Sequence, residues 1–499
     1  MKMKCSSFLV ILLSILSIFY AFADGKNGYQ IKVKINNLPN DTIYLAYHFG
    51  DKQYMKDTIR LDAKGMGVFS GDEPLPGGFY LIVYPKKNYF EIIVNEQNFS
   101  IENDTFDYQK NFKSTGSVEN KIFYDDIAFI SQKHKEKTSL EAEFKQAEGN
   151  KAKQDEIRKK LEALDDAVLA YRNRIKTEYP NTFYAKFLKS LDEIDIPECP
   201  KDDSGRCLDT LFDYKYYKSH YFDNIDFTDE RMLRTPTFHR KVMDYLEKIV
   251  PQHPDSISVY CDVILQKARA NKEVFKYWLI TLLNNYANSK IMCQEAIYVH
   301  LVENYYAKGD APWVSEDDLF RITDRAKKLK PTLCGKVAPN MFLRDTSNNL
   351  IPMHSVKAKY LMLYFYDPDC GHCKKETPLM VKAHRKIVDS MHVDLKVYAA
   401  PTLHLDKGER DENNNPIFST DPKDRAEWTN FIKEYDLLRW INVADLYLQD
   451  NFRANYDINA TPAIFLLDAD KKIVAKRFDD QQLIKIIEDL EKRAGKKAN

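Results

Sequence analysis

Near the C-terminal end of the chain, two cysteines separated by two residues follow a run of apolar residues that predicts a buried strand. Cys370 and Cys373 enclose a Gly-His pair, residues 360–366 form the apolar run, and a helical pattern continues as far as Lys386. The free N–H groups and the positive dipole end of a helix N-terminus favour a thiolate over a thiol. A thiolate attacks disulfides, and a nearby second thiol displaces the mixed disulfide that forms. None of the other six cysteines forms a second C-x-x-C pair, so the pattern favours redox chemistry over half of a zinc site.

Three further segments accompany this motif. Residues 374–378 read Lys-Lys-Glu-Thr-Pro, residues 335–340 read Gly-Lys-Val-Ala-Pro-Asn, and Thr461-Pro462 opens a short apolar strand downstream. With these segments, the C-terminal part of the chain resembles the thioredoxin fold. Among thioredoxin-like proteins it looks most like the TlpA/ResA branch of envelope thiol–disulfide oxidoreductases.

The resemblance implies a role for five residues. Cys370 matches the exposed nucleophile and Cys373 the buried resolving cysteine. Pro462 matches a cis-proline that faces the disulfide, and Thr461 would offer backbone groups to a bound substrate chain. Glu376 matches a carboxylate beneath the site that relays a proton to or from the resolving thiol. An alternative for this residue is a first-turn glutamate that stabilises the helix dipole.

Two positions depart from thioredoxin itself. Tyr364 stands where thioredoxin has a buried aspartate, and Asp369 stands where it has a tryptophan. A carboxylate next to the nucleophile disfavours the thiolate, whereas His372, when protonated, favours it. The pair Gly371-His372 resembles the loop of protein disulfide isomerase, which is more oxidising than thioredoxin by roughly 90 mV. We expect these two loop residues to tune the potential, while reduction, oxidation and isomerisation all stay open.

The N-terminus has the pattern of an export signal. Lys2 and Lys4 form a short positive region, residues 8–19 are apolar, and residues 21–23 read Ala-Phe-Ala. The apolar stretch is short for a membrane span of ~20 residues, and no later segment is apolar enough for one. Residues 1–23 are therefore predicted to be a cleaved signal peptide, with a mature chain that is soluble in the periplasm or cell envelope.

The net charge limits the expected binding partners, and the chain length indicates the number of domains. The 74 basic residues equal the 74 acidic residues, so neither nucleic acid nor an anionic membrane is an expected partner. The expected partners are protein thiols or disulfides and an upstream redox protein, with no metal and no cofactor beyond the Cys370–Cys373 disulfide. The 499 residues suggest about three domains. The sequence leaves the oligomeric state open.

Three domains are predicted after the signal. Residues 24–115 have short alternating strands about ten residues apart, which predicts an all-β sandwich or barrel. Residues 116–331 are helical, and residues 332–499 form the α/β thioredoxin-like domain. The first two segments resemble domains of unknown function that precede TlpA-like domains, which implies an architecture and no chemistry.

The helical segment opens with a predicted helical hairpin. Apolar residues recur at 4-3-4-3-4 spacing over residues 157–175, Pro180 ends this run, and the chain turns at Gly149-Asn150. The apolar stripe can be a dimer arm or an intramolecular seam, and we favour the seam.

The cysteines outside the motif predict one disulfide. Cys199 and Cys207 lie in a turn-rich loop, and an oxidising compartment permits a bond between them. Cys261 and Cys293 lie on apolar helical segments and are expected to be small core residues. With Cys334, and without Cys5 of the predicted signal peptide, these make five cysteines, so at least one stays free or pairs between molecules.

A polar insertion at residues 401–421 interrupts the last domain. Long polar loops in compact domains are usually functional or disordered. This one can gate partner access to the redox site or be a mobile surface loop. Two functions stay open for the whole chain: a thiol–disulfide oxidoreductase of the bacterial envelope, or an envelope binding or scaffold protein with an accessory redox domain.

Overall fold

The computed structural model describes residues 28–402, 406–410, 416–418, 422–446 and 449–497. The chain divides into two compact units. The first holds the residues up to Val250 together with Gln266–Phe275, and the second holds Pro251–Leu265 and the chain from Lys276 onward. The predicted signal peptide, residues 1–23, lies outside the described residues.

Two four-stranded sheets enclose one apolar core in the first unit, as in the predicted sandwich. Their strand orders are β4-β1-β7-β8 and β3-β2-β5-β6. Strand β3 does not have the alternation that predicts the other long strands of this region, because nearly all of its residues are exposed. The strands are β1 Tyr29–Asn36, β2 Thr42–Phe49, β3 Lys52–Arg60, β4 Met66–Gly71, β5 Gly78–Tyr84, β6 Asn88–Val94, β7 Asn98–Asp104 and β8 Lys113–Thr115.

Ten α-helices follow or interrupt these strands before the last domain in the described residues. They are α1 Tyr108–Asn111, α2 Val118–Gln146, α3 Lys151–Glu178, α4 Phe183–Ser190, α5 Phe212–His220, α6 Phe238–Asp244, α7 Pro254–Ala268, α8 Lys272–Ala287, α9 Glu295–Asn304 and α10 Glu316–Leu329. Helices α2 and α3 form the predicted hairpin, and the side chain of Asn150 caps α3 by accepting from Lys153 N–H. The rings of Phe129 and Tyr171 stack across the seam at 4.1 Å, so the expected intramolecular seam is confirmed.

A seven-stranded mixed sheet forms the second unit, with the order β10-β9-β15-β12-β11-β16-β17. Its strands, with the separate β13–β14 hairpin, are β9 Phe342–Asp345, β10 Leu350–Pro352, β11 Tyr360–Tyr366, β12 Leu395–Pro401, β13 Asp406–Arg410, β14 Pro416–Phe418, β15 Ile441–Ala444, β16 Ala463–Leu467 and β17 Ile473–Lys476. Its helices are α11 Gly371–Arg385, α12 Pro422–Glu434, α13 Phe452–Asn455 and α14 Asp480–Lys497. The predicted multidomain order, all-β, then helical, then α/β, is confirmed.

Strand β11 separates two apolar cores. Its residues Met362 and Tyr364 face a cluster built with α11, α12 and α14. Its residues Leu363 and Phe365 face a second cluster that includes Phe452 of α13. Parallel β12 and antiparallel β16 flank this strand in the sheet, so it is covered on every side.

Two disulfides join cysteines outside the motif. The predicted bond between Cys199 and Cys207 is present. Cys261 is free and fully buried, as expected of a small core residue. The assignment of Cys293 to an apolar helix core is wrong, because Cys293 precedes α9 and is bonded to Cys334. The pattern of a helix cannot reveal a partner 41 residues away.

A buried ion pair ties the end of the helical segment to the sheet. The Lys476 ammonium of β17 lies 2.5 Å from Glu295 Oε1, which belongs to the first turn of α9. The same ammonium donates to the carbonyl oxygen of Thr332 at 2.9 Å. Burial lowers the pKa of Lys476, and Glu295 opposes that shift. Residues 276–331 accordingly pack within the second unit, whereas the sequence pattern divides the domains after residue 331.

Within the ranges that the structure describes, no helix combines the length and apolar character that a membrane crossing requires. Most of the 401–421 insertion lies outside these ranges, apart from its β13–β14 hairpin. The choice between a gate and a mobile surface loop therefore falls largely on residues outside these ranges.

We expect Glu295→Gln to destabilise the second unit by about 3 kcal/mol or more, because it leaves a buried ammonium without its counter-charge. The double variant Glu295→Leu/Lys476→Met should recover much of the loss, since no buried charge remains. All four tryptophans belong to this unit, so urea unfolding followed by their fluorescence reports on it alone.

Asp470→Asn is the matched control for this experiment. It removes one partner of the exposed pair between Lys472 and Asp470, which lie 3.9 Å apart, and exposed pairs contribute little. An equal loss of stability in Glu295→Gln and Asp470→Asn would contradict the role assigned to the buried pair.

Candidate functional site

The two motif cysteines lie where β11 gives way to α11. Strand β11 ends at Tyr366, and α11 begins at Gly371 with Cys370 in the N-cap position. Seven consecutive apolar or aromatic residues form this strand, as expected for a strand buried on both faces. The short turn between the two elements therefore presents Cys370 at the end of a rigid strand.

Cys370 is the accessible thiol of the pair. Its Sγ lies 3.5 Å from the carbonyl oxygen of Thr461. Burial alone would raise the pKa of this thiol. Favourable interactions with the backbone N–H of Cys373, the side chains of Thr461 and Cys373, and the backbone N–H of His372 outweigh burial and lower the pKa. The helix N-terminus thus stabilises the Cys370 thiolate, as its N–H groups would for any anion.

Cys373 lies one turn deeper and is fully buried. Burial raises its pKa to about 11, and a hydrogen bond from the backbone N–H of Asp367 opposes the shift. That N–H lies 3.4 Å from Cys373 Sγ. The two thiols therefore differ in exposure and in acidity. One is suited to attack from the surface, and the other stays protonated inside.

The loop before β16 completes the surface at Cys370. The peptide bond between Thr461 and Pro462 is cis. The register of the sheet pairs Ala463 with Phe365, next to the end of β11. Thr461 is thereby held opposite the nucleophile, with its carbonyl oxygen 3.5 Å from Cys370 Sγ.

A pair of buried hydroxyl groups lies under the dithiol. Tyr364 OH is 2.8 Å from Thr377 Oγ1, and Thr377 donates to the carbonyl oxygen of Cys373 at 2.7 Å. Burial raises the pKa of Tyr364, so its hydroxyl stays neutral. Where the thioredoxin resemblance would place an aspartate, this site holds no charge. Sequence reasoning missed Thr377, although a threonine four residues after a cysteine on a helix commonly bonds back to its carbonyl.

Glu376 is half-buried and is the sixth residue of α11. The first turn of this helix contains no acidic residue, so the alternative of a first-turn glutamate that stabilises the dipole is wrong. Burial is the main cause that raises the pKa of Tyr364, and the charge of Glu376 adds to it. Gly371 and His372, the predicted tuning residues, are both exposed at the helix start.

Asp367 is a contributor that sequence reasoning did not find. It acts through its backbone N–H, and no side-chain pattern marks such a donor. Across the described part of the chain, no three His, Cys, Asp or Glu side chains cluster as metal ligands.

Comparison with known proteins identifies three matching families along the chain. Residues 353–490 match the thioredoxin-like domain. Residues 29–123 match the domain of unknown function DUF4369, and residues 174–330 match the domain of unknown function DUF5106.

Similar proteins align with the C-terminal part. The thiol-disulfide oxidoreductase ResA of Bacillus cereus is 25% identical over 147 residues, which are 30% of this chain and 70% of that protein. A solved domain of a possible thiol-disulfide isomerase from Cytophaga hutchinsonii is 33% identical, with 33% of this chain and 98% of that chain covered at a TM-score of 0.26. A thiol:disulfide interchange protein from Bacteroides sp. is 26% identical, with 32% of this chain and 90% of that chain covered at a TM-score of 0.24.

The difference in acidity predicts selective alkylation of the reduced protein. At pH 7, iodoacetamide should modify Cys370 quickly and Cys373 hardly at all, because alkylation requires the thiolate. Cys373 should react only as the pH approaches its pKa of about 11. Peptide-resolved mass spectrometry measures both rates, and Cys261, whose pKa burial raises, is the unreactive internal reference. Equal labelling of Cys370 and Cys373 at pH 7 would contradict the assignment.

Proposed function

We propose that this chain, whose residues 353–490 belong to the thioredoxin-like family, exchanges thiols and disulfides with proteins of the cell envelope through Cys370 and Cys373. The single observation that carries the proposal is the asymmetry of the pair. Cys370 has a lowered pKa at the surface, while Cys373 is buried with a pKa of about 11. A nucleophile and a resolving thiol need these two properties.

In the reducing direction, the Cys370 thiolate attacks one sulfur of a substrate disulfide. A bond forms between Cys370 Sγ and that sulfur, the substrate S–S bond breaks, and the other substrate sulfur leaves as a thiolate that takes up a proton. Cys373 then loses its proton and attacks Cys370 Sγ. The Cys370–Cys373 disulfide forms, the second substrate thiol is released, and two electrons have passed to the substrate.

A dithiol partner must reverse this cycle by reducing the Cys370–Cys373 disulfide. Run backward with a dithiol substrate, the same steps oxidise that substrate. The Thr461 carbonyl oxygen, 3.5 Å from Cys370 Sγ, is suited to accept a backbone N–H from a bound substrate strand next to the reacting sulfur.

Resolution of the mixed disulfide requires a proton acceptor. In the reduced protein, burial raises the pKa of Cys373 to about 11, so this buried thiol is protonated at neutral pH. The Tyr364 hydroxyl cannot accept this proton, because its own pKa is raised. Glu376, half-buried one turn along α11 from Cys373, is the carboxylate that we assign to this transfer.

The envelope location rests on two features. The pattern of residues 1–23 is that of an export signal. The Cys199–Cys207 and Cys293–Cys334 bonds suit an oxidising compartment, since structural disulfides are rare in the cytosol.

Insulin reduction tests the function. The wild-type protein with a dithiol donor should precipitate the insulin B chain well above the donor-only rate, and Cys370→Ser should not. Cys373→Ser should accumulate a mixed disulfide with insulin, visible as a mass adduct, since resolution fails. Cys261→Ser, a change of a thiol remote from the motif in sequence, is the control. Equal, near-background turnover by wild type and Cys370→Ser would favour the binding or scaffold function instead.

Glu376→Gln tests the proton transfer. We expect resolution of the mixed disulfide at pH 7 to slow by ~10²- to 10⁴-fold, the usual contribution of general acid–base catalysis. The deficit should shrink as the pH rises towards 11, because Cys373 then ionises without help. Stopped-flow kinetics between pH 6 and 10 measure this, with Glu488→Gln on α14 as the exposed control. A pH–rate profile equal to that of the wild type would exclude the role for Glu376.

A further inference from the structure

The outer face of α11 carries a regular row of exposed side chains, of which four are basic and one is apolar. His372, Lys375, Leu379 and Lys382 follow one another at spacings of three and four residues, and Lys386 continues the row just beyond the helix end. Residues at this spacing lie on one face of a helix. All five are exposed, and we call them the basic face.

The charges of the basic face are not neutralised by ion pairs. In the described residues, Lys375, Lys382 and Lys386 have no carboxylate partner within salt-bridge distance. Of the acids near the row, Asp389 pairs with Arg439 and Glu376 is half-buried. Asp369 is exposed on the other side of Cys370, 4.0 Å from the ammonium of Lys374, which lies outside the row. The chain as a whole has equal numbers of acidic and basic residues, so this excess is local.

The basic face starts at the nucleophile. His372 lies two residues after Cys370, and the row runs away from it along the helix. At 1.5 Å per residue it extends for about 20 Å, the length of roughly six residues of an extended chain. Leu379, 44% exposed, adds an apolar contact near its middle.

We propose that the basic face docks an acidic polypeptide segment beside the cysteine that reacts with Cys370. The inference rests on the proposed function and names its substrate class: proteins whose reactive cysteine is flanked by Asp or Glu residues with an apolar residue among them. Acidic residues on such a partner raise the encounter rate with the basic face. Basic residues on another protein are repelled by the basic face, so that protein associates more slowly. The basic face thus selects substrates before the sulfur chemistry begins.

Two disulfide peptides test the inference with the full chain. They share one sequence with a fluorophore and quencher across the disulfide, and differ only in carrying Glu or Lys beside the cysteine. Wild type should show a kcat/KM about tenfold higher for the Glu peptide, the size expected from two or three exposed charge pairs. Near 1 M salt the preference should vanish, because the screening length falls to about 3 Å.

Charge reversal locates the effect. In Lys375→Glu/Lys382→Glu the ratio of kcat/KM for the Glu peptide to that for the Lys peptide should fall to one or below. The control, Lys357→Glu/Lys396→Glu, makes the same charge change on exposed lysines at the opposite end of β11, and it should keep the wild-type ratio.

Three outcomes overturn the inference: no preference in wild type, a preference for the Lys peptide, or an equal loss in the control. Each of these still requires turnover, so the proposed function survives them. Failure of the wild-type protein to reduce either peptide would instead overturn the proposed function and this inference with it.

Discussion

The complete burial of β11 is the constraint on which the redox site depends. Every residue from Tyr360 to Tyr366 is buried, and two different apolar cores hold the opposite faces of the strand. The position of its C-terminal end is therefore determined by the whole second unit. That end carries the turn to Cys370, and the pairing of Phe365 with Ala463 brings the Thr461–Pro462 loop to the same place. Cys370 and Thr461 are 91 residues apart in the sequence, and they meet because one follows β11 and the other precedes the strand that pairs with β11.

The parts of the site that could be predicted are those encoded locally. The apolar run, the C-x-x-C spacing and the helical pattern after it indicate a strand, a turn and a helix, and the structure has all three. The hairpin turn at Gly149-Asn150 was predictable for the same reason, since the helical periodicity breaks there.

The parts that could not be predicted depend on contacts between distant segments or on backbone groups. The bond from Cys293 to Cys334 and the ion pair from Glu295 to Lys476 join elements whose proximity only the folded chain creates. The donor to Cys373 is the backbone N–H of Asp367, a group present in every residue except proline. Strand β3 could not be predicted because a strand exposed on both faces lacks the alternation of apolar and polar residues.

The groups beneath the dithiol are neutral, whereas groups on the surface around it are charged. Beneath the dithiol, the hydroxyls of Tyr364 and Thr377 bond each other and hold no charge. At the level of the sulfurs, backbone N–H dipoles stabilise the Cys370 thiolate. Full charges surround this neutral support. Asp369 is exposed beside Cys370, Glu376 is half-buried on α11, and the lysines of the basic face lie on the surface of α11, where water moderates their charges. A substitution that changes the charge on the surface of α11 is therefore expected to change the rate of substrate association more than the pKa values of the two thiols.

The ion pair between Glu295 and Lys476 and the Cys293–Cys334 disulfide also limit where the redox domain can be excised. A fragment that begins after residue 331, or at the start of the thioredoxin-like match at residue 353, loses α9 and with it Glu295 and Cys293. Such a fragment exposes the apolar surface that Met292 covers and leaves the Lys476 ammonium, 3% exposed in the intact chain, without its carboxylate. A fragment that begins after 331 also retains Cys334 as a free thiol beside a dithiol made to exchange disulfides. We therefore expect a stable excised redox domain of this chain to extend upstream into the segment that matches the domain of unknown function DUF5106.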